Sequence, residues 1–168
     1  MSAEFDWVML GDIEEGRGTL GLDMPVVVYR LFAFTMRQIL EEKYGLGEAA
    51  SLFRAAGYLA GKSFAKNALD CSGDLDFFVN NLQQTLKDLN IGLMRLEHVD
   101  MENLNFTLTV SEDLDCSGLP ITGDTVCDYD EGLIAGILEM YTGKPFSVKE
   151  IDCWSTGART CRFQAKPQ

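Results

Sequence analysis

Leu104-Asn-Phe-Thr-Leu-Thr-Val110 is the stretch on which the fold turns. Leu104, Phe106, Leu108 and Val110 alternate with Asn105, Thr107 and Thr109. A period of two sends successive side chains to opposite faces, so this is a strand with one face buried. Most of the chain before it repeats at helical spacing instead. Helices and antiparallel strands are therefore both expected in this chain.

Upstream, Leu93 to Val99 supplies a pairing strand, joined to the first through the turn-rich Asp100-Met-Glu-Asn103. Before it, Leu75, Phe78, Val79, Leu82, Leu86 and Leu89 recur at helical spacing after a cap in Ser72–Asp74. Gly57 and Gly61 in the helix expected from about Glu48 to Ala68 permit close approach by another backbone, and Ser51, Arg54, Lys62 and Lys66 mark its wet side. An earlier helix starts at Asp23 and Pro25, a side-chain cap with a proline in the first turn, and runs to about Lys43. Arg30, Arg37 and Glu41 form its one polar stripe, while Val27, Leu31 and Phe34 cover the rest, which predicts a helix buried on most sides. Residues 1–21 form an acidic, glycine-containing N-terminal extension.

Downstream, a loop from Ser111 to Gly123 carries Cys116, and a fourth helix is expected from Asp124 or Thr125 to Tyr141, ended by Thr142-Gly143 with Pro145 beyond. Gly132 and Gly136, one turn apart, let it lie close to a neighbour, and Asp128, Asp130 and Glu131 read as a solvated helix start favoured by the macrodipole. Two strands follow, about Phe146 to Asp152 and Arg159 to Ala165, around a turn at Ser155–Ala158. The expected architecture is a helical N-terminal part packed on a small antiparallel sheet of two hairpins, in a single domain over 1–168.

The 168 residues are 46% hydrophobic and 24% charged, the composition of an ordered globular protein. A formal net charge of −12 repels phosphate backbones and anionic lipid, so neither nucleic acid nor membrane is an expected partner. The first residues have neither the basic start nor the apolar run of a secretory signal, and a cytoplasmic location is expected. Five cysteines would be reduced there, and clustered thiols in such a chain suit metal or redox chemistry better than a disulfide framework.

Cys127 near the start of the fourth helix can converge with Glu150, Cys153 and Cys161 around the final hairpin if that helix packs its first turn there. Cys153 and Cys161 flank a seven-residue loop and can face each other across neighbouring strands. Three thiolates and a carboxylate make a closed tetrahedral zinc site of structural type. Glu150 and Cys153 differ by three positions, which in a regular strand places them on opposite faces, so a bulge or a strand end near Asp152 is required if both are ligands. Four anionic ligands leave a divalent ion with negative charge in excess, which Lys149, Arg159 and Arg162 are placed to offset in part. Inert buried thiols and a Cys153–Cys161 disulfide remain open as alternatives. Cys116, in Asp115-Cys-Ser-Gly118, is a loop residue, a redox-sensitive thiol, or a substitute for Glu150; with Cys127, Cys153 and Cys161 it gives the all-thiolate set of an iron–sulfur cluster.

Cys127-Asp-Tyr-Asp-Glu-Gly-Leu-Ile-Ala-Gly136, then Tyr141-Thr-Gly and Glu150-Ile-Asp-Cys-Trp-Ser-Thr-Gly-Ala-Arg-Thr-Cys-Arg-Phe163, closely resembles the 4-vinyl reductase domain family, also described as hydrocarbon-binding proteins. The family includes the sensory domain of phenol- and xylene-responsive activators and proteins associated with bacteriochlorophyll synthesis. The resemblance implies an α+β fold similar to trafficking-complex (TRAPP-like) subunits and nitric-oxide-sensor-associated domains, a homodimer, and an apolar ligand cavity. It also implies zinc on Cys127, Glu150, Cys153 and Cys161, which match the phenol sensors' cysteine, glutamate, cysteine and cysteine ligands in order and spacing, and it makes residues 111–165 the metal-binding region.

Those sensors hold the phenol hydroxyl with histidine and tryptophan, whereas Phe78 and Phe106 occupy the corresponding region here, so phenol itself is not expected. An ATPase or DNA-binding segment is not recognised, and any output would pass through a separate regulatory or signalling partner. Phe32, Phe53, Phe78 and Phe106 are the candidate pocket residues. No catalytic residue is assigned: His98, the only histidine, sits at a strand end, and no acid–base pair can be built around it. The expectation is a hydrophobic-ligand binding or sensory domain rather than an enzyme. The alternatives are a reductase or accessory factor for a tetrapyrrole vinyl group and an iron–sulfur redox sensor.

Overall fold

A computed structural model describes residues 5–168. They form two compact units that divide between Ala49 and Ala50.

In the first unit a 3-10 turn at Trp7–Leu10, capped by the Asp6 carboxylate, leads to the short helix α1, Ile13–Gly16, capped by Asp12. Helix α2 spans Val26–Tyr44, and Pro25 rather than Asp23 occupies its N-cap position, with no side-chain hydrogen bond. The helix ends at Gly45, which has a φ of 86°. None of its residues is buried: Val27 is 70% exposed, and Leu31 and Phe32 are each 66% exposed. The expectation of a helix buried on most sides is therefore corrected. Apolar periodicity records that a face needs covering, but not whether its own chain covers it.

Helix α3, Leu46–Ala68, carries the chain into the second unit, followed by α4, Leu75–Asp88, with the Asp74 carboxylate accepting the Phe77 N–H as the expected cap. Strands β1, Leu93–Asp100, and β2, Asn105–Ser111, form the predicted hairpin. Helix α5, Asp128–Thr142, starts a few residues later than expected, with Cys127 at its N-cap, and ends at the left-handed Gly143. Strands β3, Phe146–Asp152, and β4, Cys161–Pro167, make the second hairpin.

The two hairpins join through β2 and β4 into one antiparallel sheet of order β1-β2-β4-β3. On β3, Phe146, Val148 and Glu150 turn inward while Ser147, Lys149 and Ile151 turn out. The inner face carries Phe106, Leu108, Phe163 and Ala165, and packs with Phe78, Leu82 and Leu86 of α4 and Ile137 and Leu138 of α5 in one core.

Helices α3 and α5 cross at backbone distance. A Cβ added at Gly57 would collide with the Tyr129 carbonyl oxygen, and one at Gly132 would collide with the Arg54 carbonyl oxygen. Only hydrogen fits there. Arg54 and Lys62, expected on the wet side, instead flank this crossing, with Arg54 bonded to Asp128 at 2.6 Å and Lys62 to Glu139 at 2.8 Å.

Candidate metal centre and the cavity beside it

Four segments deliver four thiols to one point. Cys116 comes from a turn after β2 that is held by Asp113 Oδ1, which accepts the Asp115 and Cys116 N–H groups at 2.8 and 3.2 Å. Cys127 comes from the N-cap of α5, where the unpaired amides and the helix dipole favour negative charge. Cys161 is the first residue of β4, opposite Val110 of β2. Cys153 opens a tight 3-10 turn in which its carbonyl accepts from Thr156 and Ala158, and Gly157 takes the left-handed conformation.

All four side chains are essentially inaccessible, and their sulfurs lie within 4.8 Å of one another. Tetrahedral thiolates around an ion at metal–sulfur distances of about 2.3 Å would sit about 3.8 Å apart. Cys127 Sγ is 3.9 Å from Cys153 Sγ and 3.8 Å from Cys161 Sγ, while Cys116 and Cys161 are closer, at 3.0 Å. The donor set fits a single tetrahedral ion after a small retreat of Cys116. Without an ion, four packed thiols cannot all ionise. Hydrogen bonds among the sulfurs and burial push Cys127 up, while hydrogen bonds from the other thiols and Ser155 hold Cys153 down. The Ser155 hydroxyl lies 3.1 Å from Cys153 Sγ.

Glu150 reaches the same region. The register of β3 against β4 slips between Glu150 and Asp152, one of the two irregularities that the strand-parity argument allowed. Glu150 is 2% exposed, and its Oε2 accepts the Cys127 N–H at 3.1 Å. Its Oε1 has no hydrogen-bond partner. Burial, followed by the charge of Cys153, pushes its carboxyl up to about 8. Cys116, and not Glu150, completes the compact group of four donors.

The three cations expected to offset the charge are engaged elsewhere. Lys149 bonds Glu131 at 2.7 Å, Arg162 bonds Glu97 and Asp152, and the Arg159 guanidinium lies 5.2 Å over the Trp154 ring. The acidic start of α5 is not solvated as expected. Glu131 is 3% exposed and accepts both the Glu150 N–H and Lys149, while Asp130 Oδ2 is buried with no partner. Asp130 follows Cys127 by three positions, so both project from one helix face, a spacing visible in the sequence.

Beside the sulfurs lies a cavity of about 50 Å³, walled by α4, α5, β1 and β2 through residues such as Leu82, Met94, Val110 and Ile137, with Asp113 and Asp130 as its polar members. The candidate pocket phenylalanines lie elsewhere. Phe78 stacks on Tyr141 at 4.0 Å, and Phe106 packs against Phe146 at 5.9 Å. Phe53 is half-buried on α3, and Phe32 is exposed on α2. A larger, open groove of about 670 Å³ between α3, α5 and β3 includes Arg54, Tyr58, Glu139 and Lys149. No described helix is long and apolar enough to cross a membrane.

Residues 106–167 match the 4-vinyl reductase domain, so the resemblance read from the sequence holds over this segment. A vinyl-4-reductase family protein from Methanocaldococcus jannaschii aligns over 100% of this chain and 99% of its own, at 18% identity and a TM-score of 0.64. The phenol-responsive sensory domain of the transcription activator PoxR, solved with phenol, has a TM-score of 0.67 at 16% identity, covering 88% of this chain and 76% of that one. A trafficking protein particle complex subunit 3 from Naegleria fowleri, covalently bound to palmitic acid, has a TM-score of 0.65 at 12% identity, covering 85% and 94%. At these identities the likeness is one of fold, and it is the α+β, TRAPP-like fold expected from the sequence.

Proposed function

We propose that this chain, which carries a 4-vinyl reductase domain over residues 106–167, is a small-molecule binding or sensory domain fastened by one zinc ion on Cys116, Cys127, Cys153 and Cys161. The observation that carries the metal is the convergence of four buried thiols from four separate segments with spacings suited to one tetrahedral ion. Four thiolates leave zinc no open position, so the ion would supply a crosslink and no catalysis. The same compactness argues against an iron–sulfur cluster, whose cysteines bind separate irons with sulfides between them. Cys116 takes the fourth place, and Glu150 steadies Cys127 through its backbone amide.

Further features support the wider reading. The fold is shared with a phenol-responsive sensory domain and with a trafficking subunit covalently bound to palmitic acid. The M. jannaschii protein aligns from end to end, which supports treating 1–168 as one functional domain. The apolar residues on α2 suit a homodimer contact, and four packed free thiols suit a reducing, cytoplasmic setting. A separate signalling partner would read the ligand-bound state.

Protein purified without added metal should contain one zinc per chain, with four sulfur neighbours by X-ray absorption. Glu150→Gln should keep the metal and Cys153→Ser should lose it, together with several degrees of thermal stability. A metal-free preparation whose stability is indifferent to Cys153→Ser would end the zinc reading. Thermal shifts with a panel of apolar compounds test the ligand half.

A further inference from the structure

The sheet ends in two edges, β1 and β3, and the chain treats them differently. Side chains close β3: Glu131 Oε1 accepts the Glu150 N–H at 2.9 Å, and the Gln168 side-chain amide donates to the Phe146 carbonyl at 3.1 Å. Among the described residues no side chain caps residues 93–96 of β1 in this way. Bare backbone groups on an edge are a template for a further strand. The register of β1 slips between Leu96 and His98, so the regular part of this edge is the segment before the slip.

That segment forms one wall of an open groove of about 460 Å³. The other wall is α4, whose Asn80, Gln83 and Lys87 recur at helical spacing on one face. Lys87 and Arg95 are the only charged side chains in the groove, and neither has an ion-pair or hydrogen-bond partner among the described residues. The side-chain amides of Asn80 and Gln83 are likewise unengaged there. Asp88 and Glu97, one and two positions away in sequence, are turned to other partners: Asp88 accepts the Gln84 amide at 2.7 Å, and Glu97 is held by Arg162. In a chain of net charge −12, a groove whose only charges are positive favours an acidic partner. Screening over about 8 Å at physiological ionic strength lets contacts in the groove outweigh the more distant carboxylates.

We propose that the groove between α4 and the β1 edge docks an acidic, extended segment of a partner protein, which adds a fifth strand against residues 93–96 and sets its carboxylates on Lys87 and Arg95. Main-chain hydrogen bonds supply the affinity, and the side chains at every second position of the segment supply the selectivity. The same two cations repel a basic strand. The proposal goes beyond the ligand-binding reading and does not depend on it.

NMR titration of the full, isotope-labelled chain as purified, with a six-residue peptide alternating glutamate and valine and blocked at both ends, tests it. The amides of residues 93–96 should shift and those of β3 should not. Affinity should exceed that of the lysine-for-glutamate peptide at least tenfold. Lys87→Glu combined with Arg95→Glu, both at exposed positions, should reverse that preference while the metal content stays unchanged. The glutamate peptide N-methylated throughout keeps its charge but cannot donate, and should bind at least tenfold more weakly.

No binding of the glutamate peptide at millimolar concentration, equal binding of the lysine peptide, or an affinity indifferent to the charge reversal would overturn the proposal. So would full affinity of the N-methylated peptide, or inorganic phosphate binding as tightly, because either would mark a site for free anions in place of an added strand.

Discussion

Asp113, Asp130 and Glu150 are three carboxyls set where little water can support their charge. Burial raises Asp113 to about 7 and Glu150 to about 8, and lifts Asp130 well above the usual range. Carboxyls of an unfolded chain titrate near about 4. Between about pH 4 and 8 the folded, metal-free chain therefore holds protons that the unfolded chain has released, and its stability falls as pH rises through that window. Metal binding runs the opposite way, because the thiols must lose protons to ligate. Urea melts at about pH 5 and about pH 8 should show the zinc-stripped chain weakening with pH while its gap to the zinc-loaded chain widens; Asp113→Asn should flatten the first trend. Cys127, Cys153 and Cys161 could be singled out as a candidate group from residue type and spacing, but inert thiols and a disulfide stayed open there, and the family resemblance narrowed them. Cys116 could be named only as a substitute for Glu150, because the Asp113-held turn that aims it inward leaves only a weak mark in sequence. The polar role of Asp130 was missed because an acidic helix start is solvated far more often than buried.

The crossing of α3 and α5 is the most exacting packing in the second unit. Gly57→Ala would drive a methyl group into the Tyr129 carbonyl, and overpacking of this kind costs about 1–3 kcal/mol, more where backbone must yield. The loss should appear as a lower urea midpoint with the metal still bound. The glycine pairs on both helices announced this contact in advance. Their flanking charges did not, because Arg54 and Lys62 read as solvent-facing until Asp128 and Glu139 are seen opposite them. Strand identity survived the step from sequence to structure because a period of two is hard to mistake over seven residues. The β3 bulge at Ile151 followed only from the demand that Glu150 and Cys153 meet, and local composition gave no sign of it.

For the molecule as a whole, the apolar residues left bare on α2 predict self-association. Sedimentation across a concentration series should reveal a dimer, and Leu31→Glu or Phe32→Glu should shift it to monomer without disturbing the metal. The helices and the two hairpins could be read from the order of helical and alternating segments, and the α+β class from the family resemblance. Their joining could not, since nothing local tells β2 to accept β4 rather than to remain an edge. That joining has a consequence for the growing chain. The last strand in sequence is an inner one, so until β4 arrives β2 and β3 both present bare hydrogen-bonding edges, the kind of surface on which chains aggregate. Cys161 stands at the first position of β4, 45 residues after Cys116. A metal ion gripped by all four thiolates would thus act as a proofreader, engaging fully only once the final strand has been threaded between its neighbours.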